Sequence, residues 1–271
     1  MYDFSYVRPG SIDEAAKILL GDPNARPLSG GQTLIPTLKQ RLASPTVLVD
    51  LQGIPELYGI EAGSTHIVVG AMTRHAEVAA HAGIKKAIPA LAFLAGGIAD
   101  SQVRHMGTMG GSVSNNDPAA DYPAAVLGLG AELRTNRRTI AADDFFTGLF
   151  STALEAGELL MQIRFPIPLQ AGYCKIPNPA SGFVVAGCFI ARTEPGGVRV
   201  AVNGAGPCVF RQREFERRLG LEFGPAALTD CAQSPEGLNS DIHASASYRA
   251  SLVGVAAKRA LAFALGTSAR T

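Results

Sequence analysis

The 271-residue sequence has no tryptophan, only four cysteines and almost no net charge, with 24 Lys and Arg against 23 Asp and Glu. Two of these shortages exclude something. Without a basic field there is no electrostatic hold on a phosphate backbone, so nucleic acid is not expected as a partner. Cys174, Cys188, Cys208 and Cys231 lie 14, 20 and 23 positions apart, with no C-x-x-C pair. That spacing speaks against a zinc site or an iron–sulfur cluster held by this chain. Scattered thiols, and an N-terminus (MYDFSYVRPG) without a basic start and apolar run, favour a reducing cytoplasm. The most apolar long segment, SLVGVAAKRALAFALG, is interrupted by Lys258 and Arg259 and does not read as a membrane span.

The usual catalytic signatures are also missing. There is no G-x-x-x-x-G-K-[ST] loop, no G-x-S-x-G elbow and no H-E-x-x-H pair among the five histidines. NGAGP (Asn203 to Pro207) follows a strand but lacks a third glycine, and it reads as a turn. His105 is read as structural. No nucleophile–base pair or metal-ligand set emerges, so no residue is assigned a catalytic role.

What is present is glycine, in two stretches of the same form. RPLSGGQTLIP (Arg26 to Pro36) and RHMGTMGGSVSNNDPAAD (Arg104 to Asp121) each place Gly-Gly between hydroxyl residues just before a helical pattern. Backbone N–H groups at such a bend can hold a phosphate without a charged side chain, aided by the helix dipole. Ser29, Gly30, Gly31, Gln32 and Thr33 make one candidate cradle, and Thr108, Met109, Gly110, Gly111 and Ser112 the other. One cradle would take one phosphate, and two would share a pyrophosphate. Gly-Gly pairs are also common in plain turns, and that reading stays open for either stretch alone.

The chain alternates around these stretches. Asp3 to Val7 reads as a strand, followed by a helix whose N-cap is Ser11 and whose capping box is completed by Glu14. TLIPTLKQRL reads as a helix with Pro36 in its first turn, and TVLVDL as a buried strand. LYGIEAGSTHIVVG suggests a hairpin, Thr73 the cap of a helix through Ala80, and PALAFLAGGIA another helix. DYPAAVLGLG is read as helix, AELRTN as strand, RRTIAADDFF as a turn into a helix, and ELLMQIRFPIP as a closing strand. After the prolines near Pro166–Gly172 the pattern changes. FVVAGCFIART and GVRVAVNGAG form two strands joined at Glu194-Pro195-Gly196-Gly197, and GPAALTDCAQSP and SYRASLVGVAAKRALAFALG read as helices.

Taken together, RPLSGGQTL and QVRHMGTMGGSVSNNDPAAD, about 78 residues apart, resemble the flavin-binding medium subunits of the molybdenum hydroxylases, the family of carbon monoxide and xanthine dehydrogenases. DFSYVRPGSIDEAAKIL and YCKIPNPASGFVVAGCFIA extend the resemblance over essentially the whole chain. Four positions depart mildly from the family pattern: Ser29 stands for alanine, Thr33 for serine, Met109 for isoleucine and Ser112 for asparagine. The resemblance implies an α+β fold: a two-subdomain FAD-binding (PCMH-type) region over 1–170, with subdomains of about 1–55 and 56–170. A small C-terminal domain over 171–271, with an antiparallel sheet and helices, follows. FAD would lie between the parts, its pyrophosphate on 29–33 and 108–112. Asp121 matches a residue on the flavin side, Leu160 one lining the cavity and Lys175 a lysine near the cofactor, while Arg104 is expected to be structural. The implied partners are a large subunit with the molybdenum cofactor and a small subunit with two [2Fe–2S] clusters, in a dimer of heterotrimers. This chain would then pass electrons through FAD to an external acceptor. Two other readings stand beside it: a self-sufficient flavin oxidoreductase of the same superfamily, and a nucleotide-binding assembly protein without FAD.

Overall fold

Short β-branched strands separated by capped helices give the N-terminal part its form. In the computed structural model, which describes residues 1–193 and 197–267, Val47–Asp50 is the central strand of a three-stranded parallel sheet. Ser5–Val7 and Arg26–Leu28 flank it. Ser11 caps the helix Ile12–Gly21, its side chain accepting from the Glu14 amide. Glu14 in turn accepts from the Gly10 amide at 3.0 Å, one residue before the expected partner. Pro36 sits in the first turn of Leu34–Lys39, where its missing N–H costs nothing.

The middle of the chain builds a five-stranded antiparallel sheet in the order Ile60–Ala62, His66–Gly70, Leu160–Pro166, Glu132–Thr135, Thr139–Ala141. Helices His75–Ala80, Pro89–Gly96, Met109–Asn115 and Tyr122–Leu129 contribute to the core over it. Every residue of Tyr122–Leu129 is buried, which accounts for its apolar composition on all sides. Beyond residue 169 a second antiparallel sheet runs Gln170–Pro177, Val184–Thr193, Gly197–Asn203, Phe210–Arg211. The 19-residue helix Ala246–Ala264 packs on its first two strands. Alternate residues of Val184–Thr193 divide between two cores. Phe189 and Ala191 join the large core under Tyr122–Leu129, and Cys188 and Ile190 join the core under Ala246–Ala264. The largest core therefore crosses the proline-marked boundary.

Several expectations are corrected. Thr73 is buried and donates its hydroxyl to the Gly59 carbonyl, so the helix begins after Arg74, whose amide donates to Glu77 at 2.7 Å. RRTIAADDFF contains the edge strand Thr139–Ala141 before a single helical turn, Ala142–Phe145. GPAALTDCAQSP yields only one 3-10 turn, Pro225–Leu228. An unexpected helix, Arg213–Leu221, buries Phe215 and Leu219 from a mostly charged segment. The expected hairpin turn at 194–196 lies outside the described residues, although the strands it joins do pair, with Thr193 opposite Gly197. Among the described residues no helix is long and apolar enough to cross a membrane.

Candidate functional site

The first glycine stretch leaves the strand Arg26–Leu28 at the C-terminal edge of the parallel sheet, where a crevice forms. Gly31 turns there with φ +70°, a conformation that disfavours any side chain. Gly30 faces the second stretch directly. A Cβ at Gly30 would overlap the Met106 carbonyl oxygen and stand 2.7 Å from Gly107 Cα. The Ser29 and Thr108 hydroxyls share a hydrogen bond of 2.6 Å across 79 positions of sequence. Thr108 also caps the helix Met109–Asn115, accepting from the Gly111 amide at 3.1 Å. The two stretches are thus one joined wall.

That wall borders a cavity of about 450 Å³. Ser29 to Thr33, Thr108, Gly110 to Ser112, Asp121 and Leu160 all line it. Two expected residues do not. Met109 is fully buried in the large core beneath the wall, and Lys175 lies behind Asp121. None of the four cysteines lines the cavity.

The two cradles are not equivalent. Among the described residues, no protein oxygen accepts from the amides of Gly30, Gly31, Gln32 or Thr33, and Thr33 gives the following helix no side-chain cap. In the second stretch the amides of residues 109 to 112 are already engaged. Met109 N donates to Thr73 O at 2.9 Å, Gly110 N to Ala71 O at 2.8 Å and Ser112 N to Thr108 O at 3.1 Å. Gly110 is glycine for the same reason: its missing Cβ would stand 2.7 Å from Ala71 O, so it admits the neighbouring backbone. The first stretch offers main-chain donors to an anion, while the second offers chiefly the Ser112 hydroxyl and a shaped surface.

Asp121 borders the same cavity, just before the buried helix. Its carboxylate is nearly sealed from water, and that burial raises its pKa. Lys175 and Tyr173 oppose the shift. Lys175 Nζ pairs with Asp121 Oδ1 at 3.1 Å and also donates to the carbonyls of Gly97 (2.7 Å) and Gly182 (3.2 Å). Tyr173 donates its hydroxyl to Asp121 Oδ1 at 2.8 Å. Arg104 binds the carbonyls of Ile98 and Ala99, closing a loop, and His105 bonds within its own helix. NGAGP is a turn with Gly204 at φ +77°, its amide bonded to the Pro118 carbonyl.

Two wall residues escaped the sequence reading. His75 is 4% exposed, and burial, with Arg104 adding to it, lowers its imidazole to about 4, so the ring is neutral. Glu158 borders the cavity with its carboxyl held at about 2, chiefly by the Arg138 guanidinium. Neither stands in a motif; only the folded surroundings mark them.

Residues 2–168 match the family described as the FAD binding domain in molybdopterin dehydrogenase. The chain is 34% identical to the glyceraldehyde dehydrogenase medium chain of Sulfolobus acidocaldarius, over 95% of this chain and 97% of the other. It is also 34% identical to the carbon monoxide dehydrogenase medium chain of Hydrogenophaga pseudoflava, over 95% and 96%. Among solved structures, a chain of reconstituted CO dehydrogenase from Oligotropha carboxidovorans superposes with a TM-score of 0.92 at 32% identity, covering 98% of this chain and 99% of the other. A chain of quinoline 2-oxidoreductase from Pseudomonas putida 86 gives 0.87 at 29% identity, covering 98% of both. With matches of that extent, the chain belongs to the family of FAD-binding medium subunits of the molybdenum hydroxylases.

Proposed function

We propose that this chain carries FAD in a molybdenum-dependent hydroxylase or dehydrogenase complex, relaying electrons from a partner's [2Fe–2S] clusters to an external acceptor. The observation that carries this reading is the joined wall of the two glycine stretches, with four open amides on the same cavity as a buried carboxylate. The amides of Gly30 to Thr33 would hold one phosphate, and the Ser112 hydroxyl would border the other, on the surface shaped by Thr108 to Gly111. Asp121 would accept a hydrogen bond from the flavin half of the cofactor, and Leu160 would pack against it. Bound there, the flavin supplies reversible one- and two-electron chemistry, which is what a relay requires. The protein contributes an anion cradle, a shaped wall and a fixed acceptor, and none of its groups needs to react. Residues 1–170 would form the cofactor-binding domain and 171–271 the closing domain. A molybdenum-cofactor large subunit and a [2Fe–2S] small subunit would complete a dimer of heterotrimers.

Two measurements test this. The purified chain should retain FAD in stoichiometric amount and reject FMN, which lacks the second phosphate. Gentle affinity purification from the native cell should bring down one chain with molybdenum and one with iron and acid-labile sulfide. Equal retention of FMN would refute the diphosphate cradle. A flavin-bearing chain that turns over a small substrate alone would refute the relay.

A further inference from the structure

The groups that hold Asp121 come from beyond residue 170. Strand Gln170–Pro177 alternates its side chains between faces. Tyr173 enters the large core against the Phe189 ring, with centroids 6.1 Å apart, while Cys174 packs on the other core. Tyr173 is 2% exposed, so its hydroxyl needs partners within the protein. It has two: it donates to Asp121 Oδ1 at 2.8 Å and accepts from Asn203 Nδ2 at 3.4 Å. Asn203, itself fully buried, also binds the Ala120 carbonyl through Nδ2 at 2.7 Å. Burial raises the phenol well above its ordinary pKa, so Tyr173 keeps its proton and can only donate to the carboxylate. Asp121 makes no cap bond to its own helix. Its direction is set by Tyr173 and Lys175 alone among the described residues.

We propose that Tyr173 is a positioning residue of the cofactor site: its phenol fixes the direction of the Asp121 carboxylate, with Asn203 holding the phenol in turn. The C-terminal domain thereby sets the affinity of a cavity whose phosphate-binding wall belongs to the other domain. This rests on the reading of Asp121 as a cofactor contact.

A double-mutant cycle on the full chain, stripped of flavin, tests it. FAD affinity is measured by quenching of flavin fluorescence, and the thermal midpoint of each flavin-free variant is recorded beside it. Tyr173→Phe keeps the ring and removes only the hydroxyl, leaving Asn203 its bond to Ala120. It should weaken FAD binding about tenfold, the effect of one hydrogen bond to a charged group. Asp121→Ala should weaken binding at least as much, and adding Tyr173→Phe to it should change nothing further. Asp121→Asn serves in the same cycle if Asp121→Ala does not fold. Unchanged affinity in Tyr173→Phe beside a weakened Asp121→Ala would overturn the positioning role and leave the cofactor contact standing. A loss in Tyr173→Phe that persists undiminished without the Asp121 carboxylate would show a merely structural role and also overturn it. Full affinity in Asp121→Ala would remove both the contact and the positioning that depends on it.

Discussion

The two glycine stretches look alike in sequence and do different work in the fold. In the first, among the described residues, four consecutive amides of cavity-lining residues have no protein acceptor, and Gly31 supplies a positive φ at that bend. In the second, the amides of residues 109 to 112 are engaged by Ala71, Thr73 and Thr108, and Gly110 is small because a neighbouring strand end passes behind it. Two adjacent glycines therefore mark either an open cradle or a close backbone crossing. Only the accounting of donors distinguishes them.

Four experiments probe that contrast and the wall it rests on. The largest effect is expected at Gly30, where both functions meet. Gly30→Val would force Met106 and Gly107 away from the first stretch. It should cost about 1–3 kcal/mol of stability and abolish FAD retention, checked by flavin absorbance after gel filtration.

Next comes acid. His75 donates its amide to the Gly107 carbonyl and is neutral, with its pKa lowered from 6.5 to about 4. The unfolded chain binds that proton first, so stability is full above 6.5 and falls as pH drops from 6.5 towards 4. The loss should reach about 3 kcal/mol near pH 4. Urea midpoints at neutral pH and near pH 4.5 measure it, and His75→Gln should flatten this part of the profile. Glu158, lowered to about 2, loses its own contribution only below its ordinary range near 4.5.

Gly110→Ala sharpens the comparison further. It should destabilise the fold by about 1–2 kcal/mol through the contact with Ala71, yet FAD per folded molecule should change by no more than about twofold because its amide is already spent. Equal loss of flavin and stability would show that the second stretch is a cradle after all. The smallest effect is expected for Ser29→Ala, which removes the 2.6 Å hydroxyl pair with Thr108. About 1 kcal/mol should be lost, and none of it additionally in a Thr108→Val background.

Much of this was legible in the residues. The capping role of Ser11, the hairpin around Gly63 and the paired strands on either side of residues 194–196 follow from local chemistry, and the structure holds them. That Asp121 borders the cavity agrees with what the family resemblance implied, since no local pattern marks it, whereas Lys175, expected near the cofactor, pairs with Asp121 without lining the cavity. The rest was hidden because it depends on contacts distant in sequence. Met109 reads as part of a loop and becomes core, since the helix begins at that residue. Thr73 reads as a cap and bonds instead to a carbonyl fourteen positions earlier. His75 gives no signal at all until its surroundings exclude water.

The sheet beyond residue 169 is covered on both faces, by Tyr122–Leu129 on one side and Ala246–Ala264 on the other. A shortened chain stopped at residue 168, where the family match ends, would leave the outer surface of that buried helix bare. Such a fragment would be sticky and prone to clumping in the cell. The practical unit for expression or domain grafting is therefore the full length.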